Sequence, residues 1–219
     1  MELVNFLTDF VLHLDRHLYE LVISYGPWVY GILFAVIFAE TGFVVTPFLP
    51  GDSLLFAAGA IASTNALNPH LLAIILITAA ILGDTANYSV GAYIGPKVFS
   101  KPKSLLFNPE HLQRTHKFYE KYGGKTIIIA RFIPIIRTFA PFVAGIGKMT
   151  YFRFISYNVF GGILWVVAFV YAGFFFGNLP IVKHNFSLII IAVIVISVMP
   201  IFIELIRSYK EKKQQQAGT

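Results

Sequence analysis

With 219 residues, 57% of them hydrophobic and only 13% charged, the chain has too little charged surface for a soluble domain and reads as a polytopic membrane protein. It contains no cysteine, which excludes disulfides, thiol nucleophiles and cysteine-ligated metals and leaves the redox compartment undetermined. The net charge of +6 reflects juxtamembrane basic segments rather than a nucleic-acid surface.

The N-terminus shows neither a basic n-region nor a small-residue cleavage site, so no signal peptide is expected. No polar linker divides the chain, and residues 1–219 are expected to form one membrane domain. Residues 1–25 read as an amphipathic helix on the membrane surface. Leu3, Leu7, Phe10, Leu14, Leu18 and Leu21 share one face, with Glu2, Asp9, Asp15, Arg16 and Glu20 distributed elsewhere. His13 and His17 stand one turn apart, but with no third ligand evident a solvated face explains them; no metal and no cofactor are expected.

Residues 27–66 are expected to form a re-entrant hairpin. An apolar arm from Trp28 to Phe38 leads to Glu40, and a second arm runs from Leu54 to Ile61. Neither arm reaches the roughly 20 residues a span needs. Gly42, Pro47, Pro50 and Gly51 break the run between them, and irregular backbone at membrane depth survives only where it lines a cavity or is buried in protein. Asp52 followed by Ser53 suits a helix N-cap, whereas Glu40 has no such local role.

Residues 70–96 form a true span. Asp84, Asn87, Tyr88 and Gly91 fall on one face of it and are expected to point into the protein. Gly91 and Gly95 have the spacing that lets another helix approach closely. Residues 97–124 form a loop in which Lys97, Lys101, Lys103, Arg114, Lys117 and Lys121 outnumber Glu110 and Glu120, so it is placed in the cytoplasm. His111 and His116 belong to that solvated face.

Residues 125–149 are the anomaly: an apolar run carrying Arg131 and Arg137, six residues apart. A charge at the bilayer centre costs about 2.5–3.5 kcal/mol on insertion scales, and arginine cannot lose its proton to escape it. Pro134, Pro141 and Gly145 argue against one straight span. A second re-entrant hairpin is expected, broken at Thr138–Pro141 and entering from the cytoplasmic side. Residues 153–177 are a span with Trp165 and a Gly173/Gly177 pair. Residues 185–207 are a further span kinked near Pro200, and residues 208–219 are a basic cytoplasmic tail.

The expected fold is therefore an all-α polytopic membrane protein. It has two facing re-entrant helical hairpins of inverted orientation, about three full transmembrane helices and an N-terminal amphipathic interfacial helix. Leu55-Phe56-Ala57-Ala58-Gly59 echoes Pro141-Phe142-Val143-Ala144-Gly145, one run in each half. The first half supplies carboxylates (Glu40, Asp52 and Asp84) and the second supplies guanidiniums. Facing hairpins would bring them together. Buried ion pairs stabilise a fold poorly because desolvation offsets their attraction, so charges at this depth point to function.

These residues carry a family resemblance. Glu40-Thr41-Gly42, Pro50-Gly51-Asp52-Ser53-Leu54-Leu55 and Gly83-Asp84 with Asn87-Tyr88 and Gly91 resemble the DedA family of bacterial inner-membrane proteins. So do Tyr122-Gly123-Gly124-Lys125, Arg131-Phe132-Ile133-Pro134, Arg137-Thr138 and Pro141 to Gly145. That family lies within the wider VTT-domain (SNARE-associated) group, which includes eukaryotic lipid scramblases. The resemblance implies facing hairpins, the family's acidic pair on Glu40 and Asp52, and its arginine pair on Arg131 and Arg137. It also implies movement of a lipid between leaflets, in particular undecaprenyl phosphate, linked to the proton gradient.

The expected function is a lipid-phosphate translocase in the bacterial inner membrane, multi-pass, with its C-terminus in the cytoplasm. Arg131 and Arg137 would bind phosphate through paired charge-assisted hydrogen bonds. Glu40, Asp52 and Asp84 would act as counter-ions or proton carriers. The alternative is a proton-coupled antiporter of small cations or drugs; a purely structural or assembly role is a further reading. An enzyme is disfavoured because no nucleophile–base pair or metal cluster stands near the arginines, and Ser53 and Thr138 read as cap and break residues. The expected partners are membrane lipids (polyprenyl phosphate, phospholipid) and protons, with no nucleic acid; a homo-oligomer is left open.

Overall fold

With no water in the bilayer core to satisfy backbone N–H and C=O groups, an apolar chain that stays single must hydrogen-bond to itself. The computed structural model describes residues 14–43, 51–99, 124–177 and 179–180, and these are helical almost throughout. In order they are α1 (Leu14–Tyr25), α2 (Trp28–Gly42), α3 (Gly51–Ala62), α4 (Pro69–Phe99), α5 (Lys125–Ala130), α6 (Pro134–Ile146) and α7 (Tyr151–Phe176). Pro47 and Pro50, most of the basic loop, the start of the N-terminal helix with His13, the span at 185–207 and the tail lie outside the described residues.

Local signals explain the boundaries. Gly26 takes φ +50°, the left-handed conformation that ends α1, and its N–H donates to the Val22 carbonyl at 3.0 Å. Pro27 then precedes α2, as expected after a glycine-terminated helix. Asn68 caps α4: its Oδ1 accepts from the backbone N–H of His70 at 3.0 Å and of Leu71 at 3.1 Å, with Pro69 at the first helical position.

Among the described residues two helices are long and apolar enough to cross a bilayer, each of 26 residues: Pro69–Ile94 of α4, and α7. By contrast α2, α3 and α6 have 15, 12 and 13 residues, and α5 only 6. Large apolar side chains such as Ile74, Leu82, Val90, Phe160, Leu164 and Phe175 are exposed along the two long helices. That outward apolar surface suits lipid as solvent, and together with the spans it makes this a helical membrane protein.

One boundary differs from expectation. The interruption after α5 falls at Arg131–Ile133, and Thr138 and Pro141 lie inside α6. Pro134 decides this. It disfavours helical backbone at the preceding residue, and Ile133 is accordingly extended (φ −122°, ψ 103°), while Pro134 itself fits the first turn. Pro141 is accommodated in the helix, as prolines in membrane helices are when neighbours re-satisfy the freed carbonyl.

The two halves pack crosswise. The second short helix of each half lies on the long helix of the other: α3 on α7, and α6 on α4. The contacts are made by glycines and are alike on the two sides. Gly173 of α7 faces the Phe56 carbonyl of α3, and Gly59 faces the Val170 carbonyl in return. Gly91 of α4 faces the Phe142 carbonyl of α6, and Gly145 faces the Tyr88 carbonyl. Phe56 and Phe142 occupy matching places in the echoed runs, so the faint sequence repeat has a packing counterpart. Gly145, expected to line a break or cavity, is thus a helix-contact residue. The apolar core around these contacts includes Leu33, Ile37, Leu55, Leu72, Leu76, Val166 and Val170, with Leu18 of α1 packed against it. A smaller cluster of Tyr88, Ile127, Ala130, Ala140, Ala144 and Phe154 closes the other side.

Candidate functional site

The breaks in the short helices place charged groups in the interior. Glu40 lies near the end of α2, Asp52 in the first turn of α3, Asp84 midway along α4, Arg131 just after α5, and Arg137 in the first turn of α6. All five are exposed by 6% or less. Buried charges persist only when paired and hydrogen-bonded, and these form two linked groups.

Arg137 anchors the first. Its Nη1 donates to Asp52 Oδ1 at 2.7 Å, and its Nη2 donates to Glu40 Oε1. The guanidinium carbon sits 4.5 Å from the centre of the Trp165 ring, a cation–π contact in a desolvated site. The indole Nε1 of Trp165 in turn donates to Asp52 Oδ1 at 2.8 Å. The Glu40 carboxylate rests against Gly51, where any Cβ would collide with it, so this position needs glycine for close approach.

Arg131 anchors the second group. Its Nη2 donates to Asp84 Oδ2 at 2.5 Å and also to Asn158 Oδ1. The amide of Asn158 is oriented from behind, since its Nδ2 donates to the Ile81 carbonyl at 3.1 Å. Gly161 and Gly162 leave room for the guanidinium: a Cβ on Gly161 would come within 3.0 Å of Arg131 Cδ. The two groups touch where Arg137 Nη1 reaches the Arg131 carbonyl at 3.5 Å.

Asn87 ties both short-helix pairs to α4. Its Nδ2 donates to the Thr41 carbonyl at 3.1 Å and to the Thr138 carbonyl at 2.7 Å. Tyr88, on the same face, donates its hydroxyl to the Met149 carbonyl. Gly42 approaches Gly83 at the α2–α4 contact, where a Cβ would lie 3.4 Å from backbone. The α4 face of Asp84, Asn87, Tyr88 and Gly91 therefore points inward as a unit.

Sequence reasoning brought Glu40, Asp52 and Asp84 together with both arginines without assigning partners. The structure gives Glu40 and Asp52 to Arg137, while Arg131 takes Asp84. Two members were missed as site residues. Asn158 is an amide in an otherwise apolar span, and the argument that singled out Asp84 applies equally to it. Trp165 had no such signal, because an aromatic residue in a span is ordinarily lipid-facing or core. Its dual contact is testable. Trp165→Phe keeps a ring over Arg137 but removes the donor to Asp52, with an expected loss of about 1.5–3 kcal/mol. Equilibrium unfolding in mixed detergent micelles would measure it, with Trp165→Leu, which also loses the ring, falling lower still.

Two features bear on chemistry. Three carboxylates face two guanidiniums, so the fully ionised group carries one negative charge in excess. Several buried polar atoms also have no hydrogen-bond partner among the described residues: Arg131 Nε and Nη1, Arg137 Nε, Glu40 Oε2, Asp84 Oδ1 and Asn87 Oδ1. Such atoms are rare in folded proteins, and each is a position that a water, an ion or a ligand atom can satisfy.

A VTT-domain family model matches residues 49–175. The chain is 58% identical over 209 residues to the protein DedA of Escherichia coli (strain K12), covering 94% of this chain and 95% of that one. It is 40% identical over 185 residues to an uncharacterized membrane protein of Mycobacterium tuberculosis (strain ATCC 25618 / H37Rv), covering 84% and 81% of the two chains. It is 33% identical over 153 residues to the inner membrane protein YqjA of Escherichia coli (strain K12), covering 69% of each. No solved structure matches.

Proposed function

This chain belongs to the DedA family of VTT-domain membrane proteins, and from that premise we propose that it moves a lipid phosphate, such as undecaprenyl phosphate or a phospholipid, between leaflets of the bacterial inner membrane. The observation that carries the proposal is the buried arginine pair, with guanidinium N–H groups that have no partner among the described residues, amid apolar helices. Phosphate matches those donors in charge and geometry, and in a dry site each contact is stronger than in water. The short helices α2–α3 and α5–α6 act as two re-entrant hairpins of inverted orientation meeting near the midplane, the plan of many transporters. The C-terminal tail faces the cytoplasm.

Glu40, Asp52 and Asp84 compete with the phosphate for the same cations. When phosphate displaces a carboxylate, the site gains negative charge that proton uptake can neutralise, which couples lipid movement to protons. The proposed activity is transport rather than catalysis.

Purified protein in liposomes should move labelled polyprenyl phosphate or phospholipid above protein-free background, and more so under a pH gradient. No movement of either would refute the proposal. Arg131→Lys keeps the charge but loses the planar fork, and transport should fall at least about tenfold. The one-charge carboxylate excess favours a second reading, proton-coupled antiport of a small cation. Dye dequenching in vesicles on adding cations, but not on adding lipid phosphate, would select it.

A further inference from the structure

The two arginines are not equivalent. Arg137 has both terminal nitrogens on carboxylates and a ring beneath it, leaving Nε as its one nitrogen without a partner among the described residues. Arg131 uses Nη2 alone, and its Nη1 and Nε, three of the five N–H groups of a guanidinium, are buried with no hydrogen-bond partner among the described residues. Their counter-ions differ in the same way. Asp52 Oδ1 accepts from two donors, Arg137 and Trp165. Asp84 touches Arg131 through Oδ2, while its Oδ1 has no partner among the described residues. Beside this looser pair, α7 presents glycines at 161 and 162, where an added Cβ would press on the Arg131 side chain.

We infer that Arg131 receives the phosphate, that Asp84 is its displaceable counter-ion, and that Asn158 is a positioning residue, while Arg137 stays locked to Glu40 and Asp52. The inference rests on the lipid-phosphate reading above and assigns its parts. A phosphate pushes Asp84 aside and takes the Nη2 hydrogen it held, together with the neighbouring Nε or Nη1 donor on the same edge of the guanidinium. Asn158, held by the Ile81 carbonyl, keeps Nη2 in place meanwhile. Asp84 then returns and expels the anion, so the buried cation does not become a sink that retains its cargo. A competitor of this kind lowers affinity in order to permit release.

Two substitutions give opposite signs. In detergent-solubilised full-length protein, with farnesyl phosphate as the probe, Asp84→Asn should tighten binding about tenfold and slow lipid movement in liposomes. Asn158→Asp adds a second carboxylate to Arg131 and should weaken binding about tenfold. Inorganic phosphate, run alongside, separates headgroup recognition from recognition of the free anion. Where Asp84→Asn alone does not fold, the double variant Asp84→Asn with Asn158→Asp moves the counter-ion across the guanidinium. It should fold and bind within a few-fold of wild type. A purely structural pair predicts that both single variants shift binding in the same direction or leave it unchanged, and either result overturns the assignment. Wild-type protein that neither binds farnesyl phosphate nor moves lipid defeats the lipid-phosphate reading itself. Wild-type activity with same-sign variants defeats only the role given to Asp84.

Discussion

Replacing Arg137 by glutamine is expected to destabilise the folded protein by about 3–5 kcal/mol and to abolish transport. The loss exceeds the worth of any single contact because the change leaves Glu40 and Asp52 buried at 1% and 6% exposure with no cation between them. Desolvation that was offset by pairing is then uncompensated, and the two carboxylates also repel one another. The cause can be isolated by a double replacement. Adding Glu40→Gln to Arg137→Gln removes one of the two stranded charges, so the double variant should regain part of the stability. Equilibrium unfolding in mixed detergent micelles measures both. An Arg137→Gln protein that unfolds at the wild-type midpoint would mean that the cluster is hydrated and that the buried-pair description is wrong.

Gly173→Val should be comparably damaging for a different reason. A Cβ at Gly173 would collide with the Phe56 carbonyl, and a backbone atom cannot swing aside as a side chain does. The long helix α7 must then separate from α3, which carries Asp52, so packing and the charge cluster fail together. The expected loss lies at or above the upper end of the ~1–3 kcal/mol usual for overpacking. The pseudo-equivalent Gly91→Val, which meets the Phe142 carbonyl on the other side, should behave alike. Gly31 in α2 is the control: nothing lies within 4 Å of its added Cβ. Gly31→Ala should be neutral or mildly stabilising, since alanine is the better helix former by about 1 kcal/mol. Folded yield and unfolding midpoint of the three variants test the contrast. Equal tolerance at positions 31, 91 and 173 would show that the crosswise contacts do not hold the halves together.

The sequence by itself determined the class, the broken helices and the cast of charged residues. Each of these depends on local content. Apolar runs cannot carry Glu40, Asp84, Arg131 or Arg137 into a bilayer without compensation, and runs of 15 residues or fewer cannot span it. The face of α4 bearing Asp84, Asn87, Tyr88 and Gly91 was legible for the same reason, because helical periodicity alone puts those residues together. Periodicity could not decide between two prolines. Pro134 starts a helix and Pro141 sits within one, a difference fixed by what surrounds each.

Tertiary structure alone decided who pairs with whom. Whether Arg131 meets Glu40 or Asp84 depends on the depth and rotation of four helices relative to one another. Those are set by glycine contacts between segments about 100 residues apart, such as Gly59 with Val170 and Phe56 with Gly173. The same packing brings Asn158 and Trp165 of α7 to guanidiniums from α5 and α6. It leaves both arginines buried but pairs both terminal nitrogens of one with carboxylates and only one of the other, a distinction that no local pattern in the chain encodes.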